Sequence, residues 1–134
     1  MNASEKGLTT AWWALKLGLG GMAFLAGLDK FFGLLATWEM YLAPGIERLL
    51  PLPVPTFFHA VGVIEMAAGV LVLSKLTRLG AYVVSAWLAA LALQLVFTGM
   101  FYDLAVRDLV LALSAYALAR LTEWRNVHLS QAGA

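Results

Sequence analysis

Residues 79–102 read LGAYVVSAWLAALALQLVFTGMFY, with no Asp, Glu, Lys or Arg among them. A helix rises about 1.5 Å per residue and a bilayer core is about 30 Å thick, so this stretch reaches across the core with some tilt. The rest of the chain agrees: 134 residues are 62% hydrophobic and 13% charged, with a mean hydropathy of +0.82. Soluble domains are about a quarter charged, and halving that share removes the solvated face that they need. The length allows one domain, residues 1–134, with room for about four spans. The absence of cysteine excludes disulfides, thiolate metal sites and thiol redox chemistry by this chain. A net charge of +1 argues against nucleic acid as a partner, since phosphate binding wants a basic excess.

Three further spans are interrupted by charge. Residues 11–36 contain Lys16, Asp29 and Lys30, residues 56–74 contain Glu65, and residues 104–122 contain Arg107 and Asp108. Each becomes a full span if its charges snorkel to an interface, as Lys16 can, or face a bundle interior. Strand alternation is absent, and a barrel needs more strands than this length holds. The reading is therefore an all-α, integral membrane four-helix bundle. Tight connections at 75–78 and near Asp103 make successive helices antiparallel. All four prolines, Pro44, Pro51, Pro53 and Pro55, fall in the one long loop, 37–55, together with Glu47 and Arg48 among Ile46, Leu49 and Leu50. That pattern predicts a short interfacial helical turn starting at Pro44, then an extended return into the membrane. Residues 123–134 read as a cytoplasmic tail.

Orientation is set by the basic residues. With the N-terminus inside, that side holds Lys6, Lys16, Lys75, Arg78, Arg120 and Arg125, and the other side holds Lys30, Arg48 and Arg107, each beside an acid. Six against three predicts N-in and C-in. Trp12, Trp13 and Trp124 then mark the inner interface, and Trp38, Tyr41, Phe101 and Tyr102 the outer one. Residues 1–27 as a cleaved signal peptide is the weaker reading, because the apolar stretch is long and the residues after it are unlike a secreted domain.

Small residues at helical spacing say how the helices meet. Gly20, Ala23 and Gly27 form one stripe, Gly62, Glu65 and Gly69 a second, and Asp108, Ala112, Ala115 and Ala119 a third; Trp87, Ala90, Gln94 and Thr98 form a mixed stripe. In lipid such stripes mark close helix contacts, and no strand precedes the glycines as a phosphate loop would require. Asp29, Lys30, Glu65, Gln94, Arg107 and Asp108 all fall in the outer half of the bundle. Ionisable groups there face inward and pair with one another or with a ligand, so these six are the candidate ligand-binding set. Glu65 lies deepest and is the candidate for proton exchange. The competing reading is a purely structural ion-pair clamp, although buried pairs add little net stability. His59 and Tyr102 read as interfacial. Metal binding is not expected, since the two histidines, His59 and His128, have no ligand spacing.

The run Gly27-Leu28-Asp29-Lys30-Phe31-Phe32-Gly33, then Gly62-Val63-Ile64-Glu65 with Gly69, then Arg107-Asp108 opening the fourth helix, resembles the DoxX family of small bacterial membrane proteins over nearly the whole chain. The resemblance implies a multi-pass protein of the bacterial cytoplasmic (inner) membrane. Named relatives look like membrane partners of sulfur-oxidising or oxidative-stress systems, including a thiosulfate:quinone oxidoreductase. The lack of cysteine departs from any direct sulfur chemistry. The resemblance leaves two functions as expectations. One is a quinone-facing subunit of an oxidoreductase, in which Lys30 and Arg107 donate to a quinone carbonyl, Glu65 exchanges a proton and a redox partner subunit docks. The other is a non-catalytic scaffold or assembly partner. A small transporter or channel, formed as a homo-oligomer, comes third, because inverted repeats and broken helices are absent.

Overall fold

The structure, a computed structural model, describes residues 2–34, 38–42, 45–51 and 53–133, the side chains of 39, 41, 46, 47 and 129–133 excepted. In chain order the helices are α1 (Ala3–Asp29), α2 (Ile46–Leu49), α3 (Val54–Leu73), α4 (Thr77–Thr98) and α5 (Tyr102–Gly133), with a 3-10 turn at Trp38–Tyr41. The four long ones make a bundle. Three of them, α1, α3 and α4, are long and apolar enough to cross a membrane, and α5 has the length but carries Arg107, Asp108 and Arg120 within its apolar part. Residues 35–37 and Pro44, with the side chains of Tyr41 and Glu47, lie outside the described residues.

The ends differ from the sequence expectation for local reasons. α1 starts at Ala3 rather than at residue 11 because Asn2 caps it, accepting from the Glu5 amide at 2.8 Å. It stops at Asp29 rather than near residue 36: Gly33 adopts φ 68°, and its amide returns to the Asp29 carbonyl. α2 follows Gly45, which adopts φ 88°. α3 begins two residues early because Pro55 fits the first turn, where a helix needs no N–H. α4 ends at Thr98 because Gly99, at φ 74°, turns the chain. The expected tail continues α5 as helix to Gly133, since no proline or glycine interrupts 123–132 and Glu123 and Arg125 are held by the other helices.

The closest packing is α4 on α5 and α1 on α3, and α3 on α4 joins the two pairs. Backbone approach explains the α1–α3 contact. A Cβ at Gly27 would lie 2.5 Å from the Gly62 carbonyl oxygen and 2.8 Å from the Met66 amide, and one at Gly69 would lie 2.7 Å from the Gly20 carbonyl oxygen. Only hydrogen fits there. α4 meets α5 through Ala81, Ala112, Ala115 and Ala119, all buried, and Ser85 Oγ donates to the Ala112 carbonyl at 2.8 Å. Leu17, Leu25, Val70, Leu93, Phe97 and Leu113 meanwhile point outward. Small residues inside and large apolar residues outside invert the soluble pattern and fit a bundle whose outer face meets lipid.

Candidate functional site

The site forms where the two pairs diverge. Close packing of Gly27 on Gly62 sets Lys30 one turn beyond the contact, beside the α3 face that carries Glu65. Lys30 Nζ meets Glu65 Oε2 at 2.7 Å, with side chains 5% and 7% exposed. The other carboxylate oxygen, Oε1, accepts from Trp87 Nε1 at 2.9 Å, so α1, α3 and α4 converge on one carboxylate. Lys30 Nζ also lies 3.8 Å from the centroid of the Trp38 ring, which covers it from the loop.

Beside this pair lies a cavity of about 750 Å³ bounded by α1, α3, α4, α5 and the Trp38–Leu42 segment. Its walls are chiefly apolar, with Phe57, Phe58, Leu88, Leu91 and Leu111 among them. The polar groups on it are Lys30, Glu65, Gln94, Arg107 and Asp108, flanked by the indoles of Trp38 and Trp87. Ligand sites have this make-up: a volume of roughly 300–1,000 Å³, mostly hydrophobic, with a few placed polar groups.

Five of the six residues singled out in the sequence therefore share one cavity. Asp29 does not line it. Its carboxylate faces the chain that leaves α1: Oδ1 accepts from the Leu34 amide at 2.8 Å, and Oδ2 from Trp38 Nε1 at 3.0 Å. Asp29 is thus a positioning residue that holds the Trp38 ring over Lys30. Arg107 has no carboxylate within 4.0 Å among the described residues, and the Asp108 carboxylate next to it in the chain shares the cavity wall without forming a close ion pair. Gly20, Gly27, Gly62 and Gly69 stay outside the cavity wall and serve the α1–α3 contact.

Sequence reasoning misses the two indoles. Trp87 shares a stripe with Gln94, two turns away, and that spacing is the available signal. Trp38 reads as an interfacial anchor, and nothing in its surroundings shows that the chain folds it back onto Lys30. Among the described residues no group of three or more metal-ligating side chains converges. No family model, curated protein sequence or solved structure matches this chain.

Proposed function

We propose that the chain is a DoxX-like protein of the bacterial inner membrane, N-in and C-in with successive helices antiparallel, and that its cavity binds a lipid-soluble quinone as part of an oxidoreductase assembly. The observation that carries this reading is the union, in one mostly apolar cavity, of flanking indoles with Arg107, a cation lacking an ion-pair partner among the described residues. A quinone is a flat apolar ring with carbonyl acceptors on opposite edges. The indoles flank such a ring, Arg107 and the Gln94 amide donate to a carbonyl, and the Phe57–Phe58 wall takes the start of the isoprenoid tail. Glu65 is the group placed to exchange a proton. Each of its oxygens accepts one hydrogen bond, from Lys30 and from Trp87, and keeps a second lone pair on which a proton can be taken up.

The bonds that Lys30 and Trp87 make to Glu65 favour a second reading, in which the Lys30–Glu65–Trp87 set is a clamp in a non-catalytic scaffold. Quinone titration separates the two. In a Trp12→Phe/Trp13→Phe/Trp124→Phe background that leaves Trp38 and Trp87 as the emitters, the tryptophan fluorescence of protein in lipid nanodiscs is expected to be quenched saturably by a decyl-substituted benzoquinone. Arg107→Gln is expected to raise the midpoint about tenfold, the share of a hydrogen bond to a charged donor. Ala26→Phe, which fills the cavity and leaves every charged residue in the sequence unchanged, should remove saturation. Linear quenching that Ala26→Phe leaves unchanged overturns the quinone site.

Orientation has its own check. Because the chain has no cysteine, Lys75→Cys and Arg48→Cys each introduce a lone thiol, at position 75 on the exposed α3–α4 turn and at position 48 in the outer loop. A membrane-impermeant maleimide on intact cells is expected to label position 48 and spare position 75. The reverse pattern inverts the protein and moves the cavity to the cytoplasmic half.

A further inference from the structure

A second group of cations lies at the other end of the bundle, far from the cavity. Trp12 is buried against α5, its Nε1 donating to Thr122 Oγ1 at 2.9 Å. Two cations share its ring: Lys16 Nζ is 4.6 Å from the centroid and Arg125 Cζ 4.1 Å. Lys16 comes one turn after Trp12 on α1, and Arg125 one turn after Thr122 on α5, so the two helices bring these groups to one corner. Lys16 is 8% exposed and gives one of its three protons to the Ser74 carbonyl at 3.1 Å, and exposed Lys75 follows Ser74 in the chain.

No carboxylate lies within 4.0 Å of Lys16, Lys75 or Arg125 among the described residues. Glu123, two residues before Arg125, is already engaged. It accepts from Arg78 at 2.8 Å and from Tyr82 at 3.0 Å, and Arg120 lies 3.3 Å away. The bonds from Arg78 and Tyr82 hold its carboxyl below the usual range, so it stays anionic and neutralises the arginines on its own side. Arg125 Nε, in contrast, is buried with no acceptor. Two like charges on one ring repel, and an orphaned buried donor costs about 1–3 kcal/mol. An anion with several oxygens at this corner offsets the repulsion between the two cations.

We propose that Lys16, Lys75 and Arg125, on the platform of Trp12, bind the phosphate of an anionic phospholipid. A soluble phosphate has the same chemistry. The lipid is favoured because the flanking surface is apolar and exposed at Trp13, Leu17, Leu76 and Leu79, where an acyl chain lies, and because tryptophans mark the level of headgroups.

The test is a titration of the full chain, in a neutral detergent, with phosphatidylglycerol, phosphatidylcholine or inorganic phosphate. Melting temperature is read alongside native mass spectrometry of retained lipid. Phosphatidylglycerol is expected to raise the melting temperature saturably and to remain bound, and phosphatidylcholine to do neither. Arg125→Gln and Lys75→Gln are each expected to weaken the midpoint roughly fivefold, as loss of one cation near an anionic headgroup does. Lys6→Gln, on the exposed first turns of α1, should leave it unchanged. Lys75 sits on an exposed turn, so its variant gives the answer even where Arg125→Gln fails to fold. Equal shifts with both lipids, or a phosphatidylglycerol midpoint that neither variant moves, overturns the site. Inorganic phosphate reproducing the full shift with no lipid retained overturns the lipid as its source.

Discussion

Gly27→Leu is expected to separate α1 from α3 and to cost about 3 kcal/mol or more, the upper range for a side chain forced into a packed contact. The atoms that a side chain there would strike are the Gly62 carbonyl oxygen, at 2.5 Å from a bare Cβ, and the Met66 amide nitrogen, at 2.8 Å. Both belong to the α3 backbone, which cannot swing aside as a side chain does, so the helices must move apart. Lys30 would then be carried away from Glu65 and the cavity would lose its α1 wall. Gly18→Leu on the same helix is the control. Nothing lies within 4 Å of its Cβ, so a change within about 0.5 kcal/mol is expected. Thermal unfolding in nanodiscs compares the two, and equal stabilities would show that the α1–α3 contact does not depend on glycine.

Glu65→Ala is expected to cost about 3–5 kcal/mol by leaving the Lys30 ammonium buried without its carboxylate and Trp87 Nε1 without its acceptor. The double variant Lys30→Met/Glu65→Leu removes both charges and is expected to regain most of that loss, because an apolar pair of similar volume is often as stable as a buried ion pair. Quinone should still quench saturably in the double variant, since Trp38, Trp87, Gln94 and Arg107 stay on the cavity wall. Proton-coupled quinone reduction by the assembled system should not return with it, because the proton-exchanging carboxylate is gone. Full recovery of stability and turnover together would reduce the pair to a clamp.

The helices are legible in the sequence because hydropathy and small-residue spacing are local properties, and the α1–α3 contact lies open in Gly20, Gly27, Gly62 and Gly69. Helix ends are less so. Asn2 with Glu5 three residues on is a capping signal that moves the start of α1 to Ala3. Helical spacing groups Asp29 with the cavity residues by placing it beside Lys30. Its carboxylate instead serves the chain that turns back after Gly33, and closure of a loop leaves no periodic trace in a sequence. The convergence of Lys30, Glu65 and Trp87 depends on three helices packing at particular rotations, which a hydropathy pattern constrains only to a face.

The contact between α4 and α5 is lined with alanine at 81, 112, 115 and 119. Alanine has no rotamers, so these four positions dock without freezing a side-chain torsion, whereas each leucine buried on the same helices, such as Leu88 and Leu118, surrenders about 0.5–1 kcal/mol of rotamer entropy. The long side chains that do have that freedom, such as Leu93, Phe97 and Leu113, face outward, where fluid acyl chains let them keep it. The alanine positions therefore lower the entropic resistance to forming the pair, and what remains of that cost falls on the few large side chains, Leu88 and Leu118 among them, that fill the core beside them.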